Sequence, residues 1–321
     1  MKEIMTKITK PCLAQDVNED NLYLPLIASC KIDGVFTLIQ NGKALARSLK
    51  PHENKYITEF YSNPLFEGLR GELIAGDDPT AEGLIRETSS VTRRIEGESE
   101  TTLFVFDYVT EDSKDLPYMV RLELAKNKVE DLNFLYGYNN FKIIPYEWCR
   151  SIEEYTCLKE ESMNQSYEGV ILRDPNLPHK EGRSSTKKIH LWRWKPWLDA
   201  EIKVTGLTEG QSNQNIATTN ELGKTKRSTH KENMQPNSQV GSIQGILLKD
   251  LVDCFGKVIK EEGEQVTISP GEMTAKEKKF YFENPQEIVG KIAKFKYFAY
   301  SLKDTGRFMS FVCIRSERDM S

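Results

Sequence analysis

Apolar positions along this chain change period several times, and each change marks an element. Residues 26–30 form a short apolar run leading into Lys31. Val35–Gln40 and residues 43–48 then flank Asn41-Gly42, a dipeptide that favours a two-residue hairpin turn. A helix is expected over 53–62 and strands over 68–75 and 102–109. In 119–132, Met119, Leu122, Ala125, Val129 and Leu132 recur at helical spacing and predict one buried face. Ser151-Ile152-Glu153-Glu154 has the form of a capping box opening the next helix. Strands are expected again over 167–173 and 190–195.

Beyond Pro196 the helical periods give way to strand-like ones, over 200–207, 240–249, 265–269, 292–300 and 309–315. Five strands in a row suggest a small barrel of the OB type, a common platform for nucleic acids. Between the first two lies 208–239, rich in Asn, Gln, Thr, Ser and Lys, and too long for an idle loop. These shifts place one domain at 1–198 and a second at 199–321, with an insertion at about 208–239.

The 321 residues carry 44 basic and 48 acidic side chains, a formal net charge of −4. That balance does not exclude a nucleic-acid partner, because phosphate contacts depend on local basic patches. The six cysteines, at 12, 30, 149, 157, 254 and 313, include no C-x-x-C pair. They read as reduced thiols, neither a disulfide framework nor a zinc site. No apolar leader core lies in 1–16 and no run of about 18 apolar residues occurs, so a cytoplasmic protein is expected.

Lys31-Ile32-Asp33-Gly34 is the most informative short stretch. A lysine amine, with an ordinary pKa of roughly 10.4, must lose its proton before it can attack phosphorus, which a pocket of metal and basic groups favours. Glu72 and Glu168 each stand beside a glycine in a strand-like run. Together they could bind a hard divalent ion and a ribose hydroxyl, although either alone reads more often as an exposed strand-end glutamate. Phe104 and Phe106 alternate on one strand face, as packing rings or as a surface for a nucleobase. Arg193 and Lys195 lie two residues apart on one side of a strand and suit a triphosphate. Lys224, Lys226, Arg227 and Lys231 crowd the insertion, where they suit the phosphate backbone of a duplex.

In this order, and with 288–298, 307–311 and 314–315 completing the set, the motifs resemble those of covalent nucleotidyltransferases, specifically the minimal two-domain ATP-dependent DNA ligases of viruses and phages. The resemblance implies an α+β fold, an ATP-grasp-like nucleotidyltransferase domain followed by an all-β OB-fold domain. It implies sealing of 5′-phosphate, 3′-hydroxyl nicks through lysyl-AMP and DNA-adenylate, with ATP and magnesium, or manganese in its place. Lys31 would carry AMP and Asp33 would hold that lysine and assist the metal. Ser29, Arg47, Glu72, Phe106, Arg193 and Lys195 would bind nucleotide, with Glu168 and Glu72 on the metal. Arg307 and Asp319 would orient the departing pyrophosphate. Arg183 and the basic insertion would grip nicked duplex DNA, the insertion as a latch that lets a monomer encircle it; a viral source would put the enzyme in the host-cell cytoplasm.

Three positions depart from the family pattern. Phe36 stands where an arginine that engages the nick phosphate is usual, Arg193 replaces a lysine, and Met309-Ser310 replaces Pro-Val. RNA ligases and capping guanylyltransferases share the lysine motif, and loss of sealing through Phe36 would leave a nick-binding protein. The basic insertion favours a DNA clamp.

Overall fold

In the computed structural model, which describes residues 7–300 and 306–315, the apolar run before Lys31 is the strand Leu26–Lys31. It continues through Ile32-Asp33-Gly34 into Val35–Gln40, which turns at Asn41-Gly42 into Lys43–Ala46. Both turn residues take positive φ, 54° and 64°, as the favoured hairpin geometry demands. The Lys31 motif is therefore the crossing between two sheets. One orders Gln15–Asp16, Trp192–Trp194, Gly169–Arg173, Leu26–Lys31 and Tyr146–Cys149; the other orders Lys43–Ala46, Val35–Gln40, Leu69–Ala75, Thr101–Tyr108 and Phe141–Ile143.

Helices cover these sheets. Asn54 accepts the Ile57 N–H and starts Lys55–Tyr61, which explains why that helix begins later than its apolar pattern. Tyr118–Tyr136 buries Leu122, Ala125, Val129 and Leu132, together with Arg121. Ser151 caps Ile152–Asn164, but the Glu154 carboxylate turns to the Arg150 N–H, so only half of the expected capping box forms. Leu84–Arg93 was not anticipated; it buries Leu84, Thr88, Val91 and Thr92. No helix among the described residues is long and apolar enough to cross a membrane.

The chain divides into two compact units between Lys195 and Pro196. In the second, Gln265–Ile268, Met234–Leu247, Trp197–Asn213, Ile292–Phe298 and Arg307–Ile314 form one sheet in that order. The Ser269–Ser310 bridge joins its outer strands, closing a five-stranded barrel around Ile202, Val204, Ile243, Phe295 and Tyr297. This unit is not all-β. Ala275–Glu283 is a helix between the third and fourth barrel strands, held at its start by a capping box of Thr274 and Glu277. Its short apolar content hid it from periodicity.

The 208–239 insertion is mostly strand. Trp197–Asn213 and Met234–Leu247 run on beyond the barrel as a bulged ribbon, ending in a small hairpin of Ala217–Thr219 and Thr225–Arg227.

Candidate active site

Register brings the chemical groups together. Lys31 pairs with Gly169, and the Glu168 N–H donates to the Lys31 carbonyl at 2.9 Å. Glu168 is thus fixed next to Lys31 by main-chain pairing, independently of any side-chain contact. Two glycines make the approach feasible. A β-carbon on Gly169, whose φ is 152°, would lie 2.1 Å from the Trp194 carbonyl oxygen. One on Gly34 would lie 2.5 Å from the Leu73 carbonyl oxygen and 2.9 Å from the Glu72 side chain. The glycines of both motifs thus allow one strand to lie against another that carries a functional residue.

The Glu168 carboxylate, almost wholly buried, bridges two amines: Oε2 pairs with Lys31 Nζ and Oε1 with Lys195 Nζ. Burial opposes its charge, but the two lysines hold it below the usual carboxylate range. Burial alone would lower the Lys31 amine, yet the Glu168, Glu72 and Asp33 carboxylates outweigh it and hold the amine above its ordinary range. The cause is the count of charges: three acidic groups face Lys31. Lys195 goes the other way, lowered by burial with Lys31 adding to the effect against Glu168. Glu72, on Leu69–Ala75, is pushed up to about 7 by burial, with Glu168 and Asp33 adding and Lys31 and Arg47 opposing.

Other expected residues fall around this cluster. Ser29 lies two residues before Lys31 on the same strand, opposite Ile171 and Tyr146. Phe106 sits where Thr101–Tyr108 bulges against Leu69–Ala75, its ring centroid 6.1 Å from Phe36. Phe36 pairs directly with Glu72 across the sheet. Arg47 is exposed just after its strand.

Within the first unit, Arg193 and Arg183 do not join the cluster. Arg193 Nε donates to Asp16 Oδ1 at 2.6 Å, while its neighbour Lys195 takes Glu168. Arg183 donates to the Ala14 carbonyl and is exposed. Lys224, Lys226, Arg227 and Lys231 lie exposed in the hairpin insertion of the second unit. There the buried Asn215 side chain donates to Ser228 and His230 carbonyls at 3.0 and 2.9 Å and accepts from Asn233. Arg307 opens the last barrel strand. Asp319 lies outside the described residues.

One group behind Phe106 was missed. Asp107, buried, accepts from Arg121 Nε at 2.8 Å and from Arg173 Nη1 at 3.3 Å. Its carboxyl is lowered to about 2, because Arg121 and Arg173 overcome its burial. The Arg173 guanidinium lies 5.2 Å from the Phe106 ring centroid. The sequence held a clue: Arg121 interrupts the apolar face of its helix.

Residues 13–192, more than half of the chain, match the family model described as ATP dependent DNA ligase domain. Over 121 residues the chain is 31% identical to the DNA ligase of African swine fever virus (strain Badajoz 1971 Vero-adapted), covering 37% of this chain and 27% of that protein. The match thus spans about a quarter of the length of these curated relatives. The crystal structure of chlorella virus DNA ligase-adenylate is similar at 25% identity and a TM-score of 0.51, over 96% of this chain and 100% of that one. A structure from a study of Lig E DNA ligases shares the fold, with a TM-score of 0.63 at 17% identity over 96% and 100% of the two chains.

Proposed function

The chain belongs to the ATP-dependent DNA ligase family, and from that premise we propose that it seals 5′-phosphate, 3′-hydroxyl nicks in duplex DNA. The observation that carries the reading is Lys31, joined to Lys195 through Glu168 and facing Glu72 and Asp33. In the first step Lys31 Nζ bonds to the α-phosphorus of ATP, the α–β bridge breaks, and pyrophosphate and a proton leave. A 5′-phosphate oxygen at the nick then attacks the adenylate phosphorus and frees Lys31. Last, the 3′-hydroxyl oxygen attacks the 5′-phosphorus, and AMP departs.

Each residue's part follows from its chemistry. Glu168 favours the protonated form of Lys31, so the amine must separate from Glu168 to react. Lys195, less firmly protonated, neutralises charge on the α-phosphate as the in-line attack proceeds. Phe106, held from behind by Arg173, offers a ring to adenine, and Glu72 receives the ribose or a metal. Arg193 reaches phosphate by exchanging its exposed partner Asp16. Arg307 of the barrel neutralises the leaving pyrophosphate, and the exposed cations of the insertion hold the duplex backbone.

A divalent ion fits this donor set. Glu168 and Glu72 supply hard oxygen ligands; burial first, then the Glu168 and Asp33 charges, push Glu72 up against Lys31 and Arg47, and a divalent ion beside it would favour the ionised form. Among the described residues no group of three or more His, Cys, Asp or Glu is placed to hold a metal alone. Magnesium commonly takes one or two carboxylates and completes its shell with phosphates and water. When bound there it would neutralise phosphate oxygens.

The test is incubation with α-labelled ATP and magnesium, followed by denaturation. Label should remain on the protein, vanish in Lys31→Ala, and move to the product of a nicked duplex. Retention of label in Lys31→Ala would exclude the lysyl-AMP route, and a labelled protein that seals no nick would exclude the ligase reading.

A further inference from the structure

The insertion inverts the usual choice of what to bury. Among the described residues from 205 to 239, Asn215 alone is buried, at 6% exposure, while its neighbour Ile216 is 85% exposed. The ribbon beyond the barrel thus has no apolar core, and a two-stranded ribbon without one is marginal by itself.

A hydrogen-bonded amide takes the place of that core. Asn215 Nδ2 lies 3.0 Å from the Ser228 carbonyl, 2.9 Å from the His230 carbonyl and 2.9 Å from Asn213 Oδ1, so its two protons are shared among three acceptors. Its Oδ1 accepts from Asn233 Nδ2 at 3.1 Å, and its main-chain carbonyl accepts from Arg227 Nη1. Beside it the Gln214 N–H donates to the Asn233 carbonyl at 2.9 Å, and Asn213 Nδ2 donates to the Ser228 carbonyl at 2.7 Å. Residues 213–215 are thereby tied to the returning segment 227–233, which carries Lys231 and follows directly on Lys226. Lys226 pairs with Thr218 and Arg227 with Ala217, so their side chains leave opposite faces of the hairpin. Arg227 is turned to the Asn215 carbonyl, and Lys226 points the other way.

We propose that Asn215 is a positioning residue for the duplex: its amide sets Lys224, Lys226 and Lys231 in one frame, so that they meet backbone phosphates together. The inference rests on the proposed grip of the insertion on DNA. A satisfied buried amide rigidifies what surrounds it, and an arm ordered in advance loses less freedom on binding.

The experiment uses the full chain carrying Asn215→Ala, the triple substitution Lys224→Ala, Lys226→Ala and Lys231→Ala, or both together. Affinity for a nicked duplex at fixed salt, amide hydrogen exchange in the free protein, self-adenylylation and the unfolding midpoint are measured for each. Asn215→Ala removes no charge, yet it should weaken nick binding about 5- to 30-fold. It should also speed exchange over 214–233, with self-adenylylation and the midpoint as in the parent. Asn233→Ala, which removes one of the amide's bonds, should weaken binding about 2- to 5-fold. In the triple background Asn215→Ala should change affinity less than about 2-fold, because it acts through those cations. An equal loss in both backgrounds overturns the proposal, as does parent-like affinity beside faster exchange, or weaker binding beside unaltered exchange. A midpoint and self-adenylylation that fall together with affinity would mark a merely structural role and overturn it too. A triple variant that binds the nick like the parent overturns the grip of the insertion itself, on which the exchange measurement does not depend.

Discussion

Replacing Glu72 by glutamine should make the protein more stable at alkaline pH while impairing nucleotide chemistry. The Glu72 carboxyl is pushed up to about 7 from an ordinary 4.5, by burial first and by the Glu168 and Asp33 charges next. A raised carboxyl favours the protonated form in the folded state. Its contribution is complete below the unfolded value near 4.5 and is lost as pH rises through about 7. Above that, an ionised Glu72 weighs against the fold by at most roughly 3 kcal/mol, at about 1.36 kcal/mol per pH unit; relaxation around the site reduces this to about 1–3 kcal/mol. Glutamine resembles the protonated acid and carries no charge at any pH. In metal-free buffer with chelator, Glu72→Gln should therefore melt like the parent near about pH 5. Near about pH 8.5 it should melt higher by about 2–4 °C for each kcal/mol recovered. Scanning calorimetry at both pH values checks this. An equal shift at the two pH values, or none at the higher, would refute the reasoning.

Gly34→Ala forces a β-carbon to within 2.5 Å of the Leu73 carbonyl oxygen. Adenylylation of Lys31 should fall about 100-fold as the strand moves away from Glu72, read by label incorporation with the melting curve as control. Asp107→Ala strips the carboxylate from two buried guanidinium groups and should cost about 3–5 kcal/mol of stability by urea titration. In the parent, the stability Asp107 supplies is present above its unfolded value of 3.8 and is lost as pH falls through about 2. Alanine at Lys224, Lys226, Arg227 and Lys231 together should flatten the salt dependence of nick binding by about 2–4 in log–log slope, measured by gel shift, and leave self-adenylylation intact.

Much of this could be read in the chain because local rules and tertiary demands agree there. Asn41-Gly42 turns as its residues require, and the strand around Lys31 follows its apolar run. The pairing of Glu168 with Lys31 could not be derived from spacing, since it depends on strand register between segments far apart in sequence. The carboxylate pull on Lys31 was hidden for a related reason: it depends on how many carboxylates converge, which only the folded chain decides. Asp107 and Arg173 stayed hidden because charged residues at strand ends usually face solvent. The helix Ala275–Glu283 buries none of its residues, so no apolar stripe announced it. The family resemblance named most of the cluster, but it did not reveal that Arg193 rests on Asp16.

The ribbon that leaves the barrel has a mechanical consequence. From Leu207, which packs on the barrel core, to Asn213, six residues of strand span about 20 Å. Tied off by the Asn215 side chain, this stiff arm must follow any rotation of the barrel. Turning that unit by about 10° would sweep the basic tip through more than 3 Å, roughly the rise of one strand residue. If the insertion holds a duplex as proposed, a small reorientation at the root would be geared up into a shift of its cations by about one strand residue.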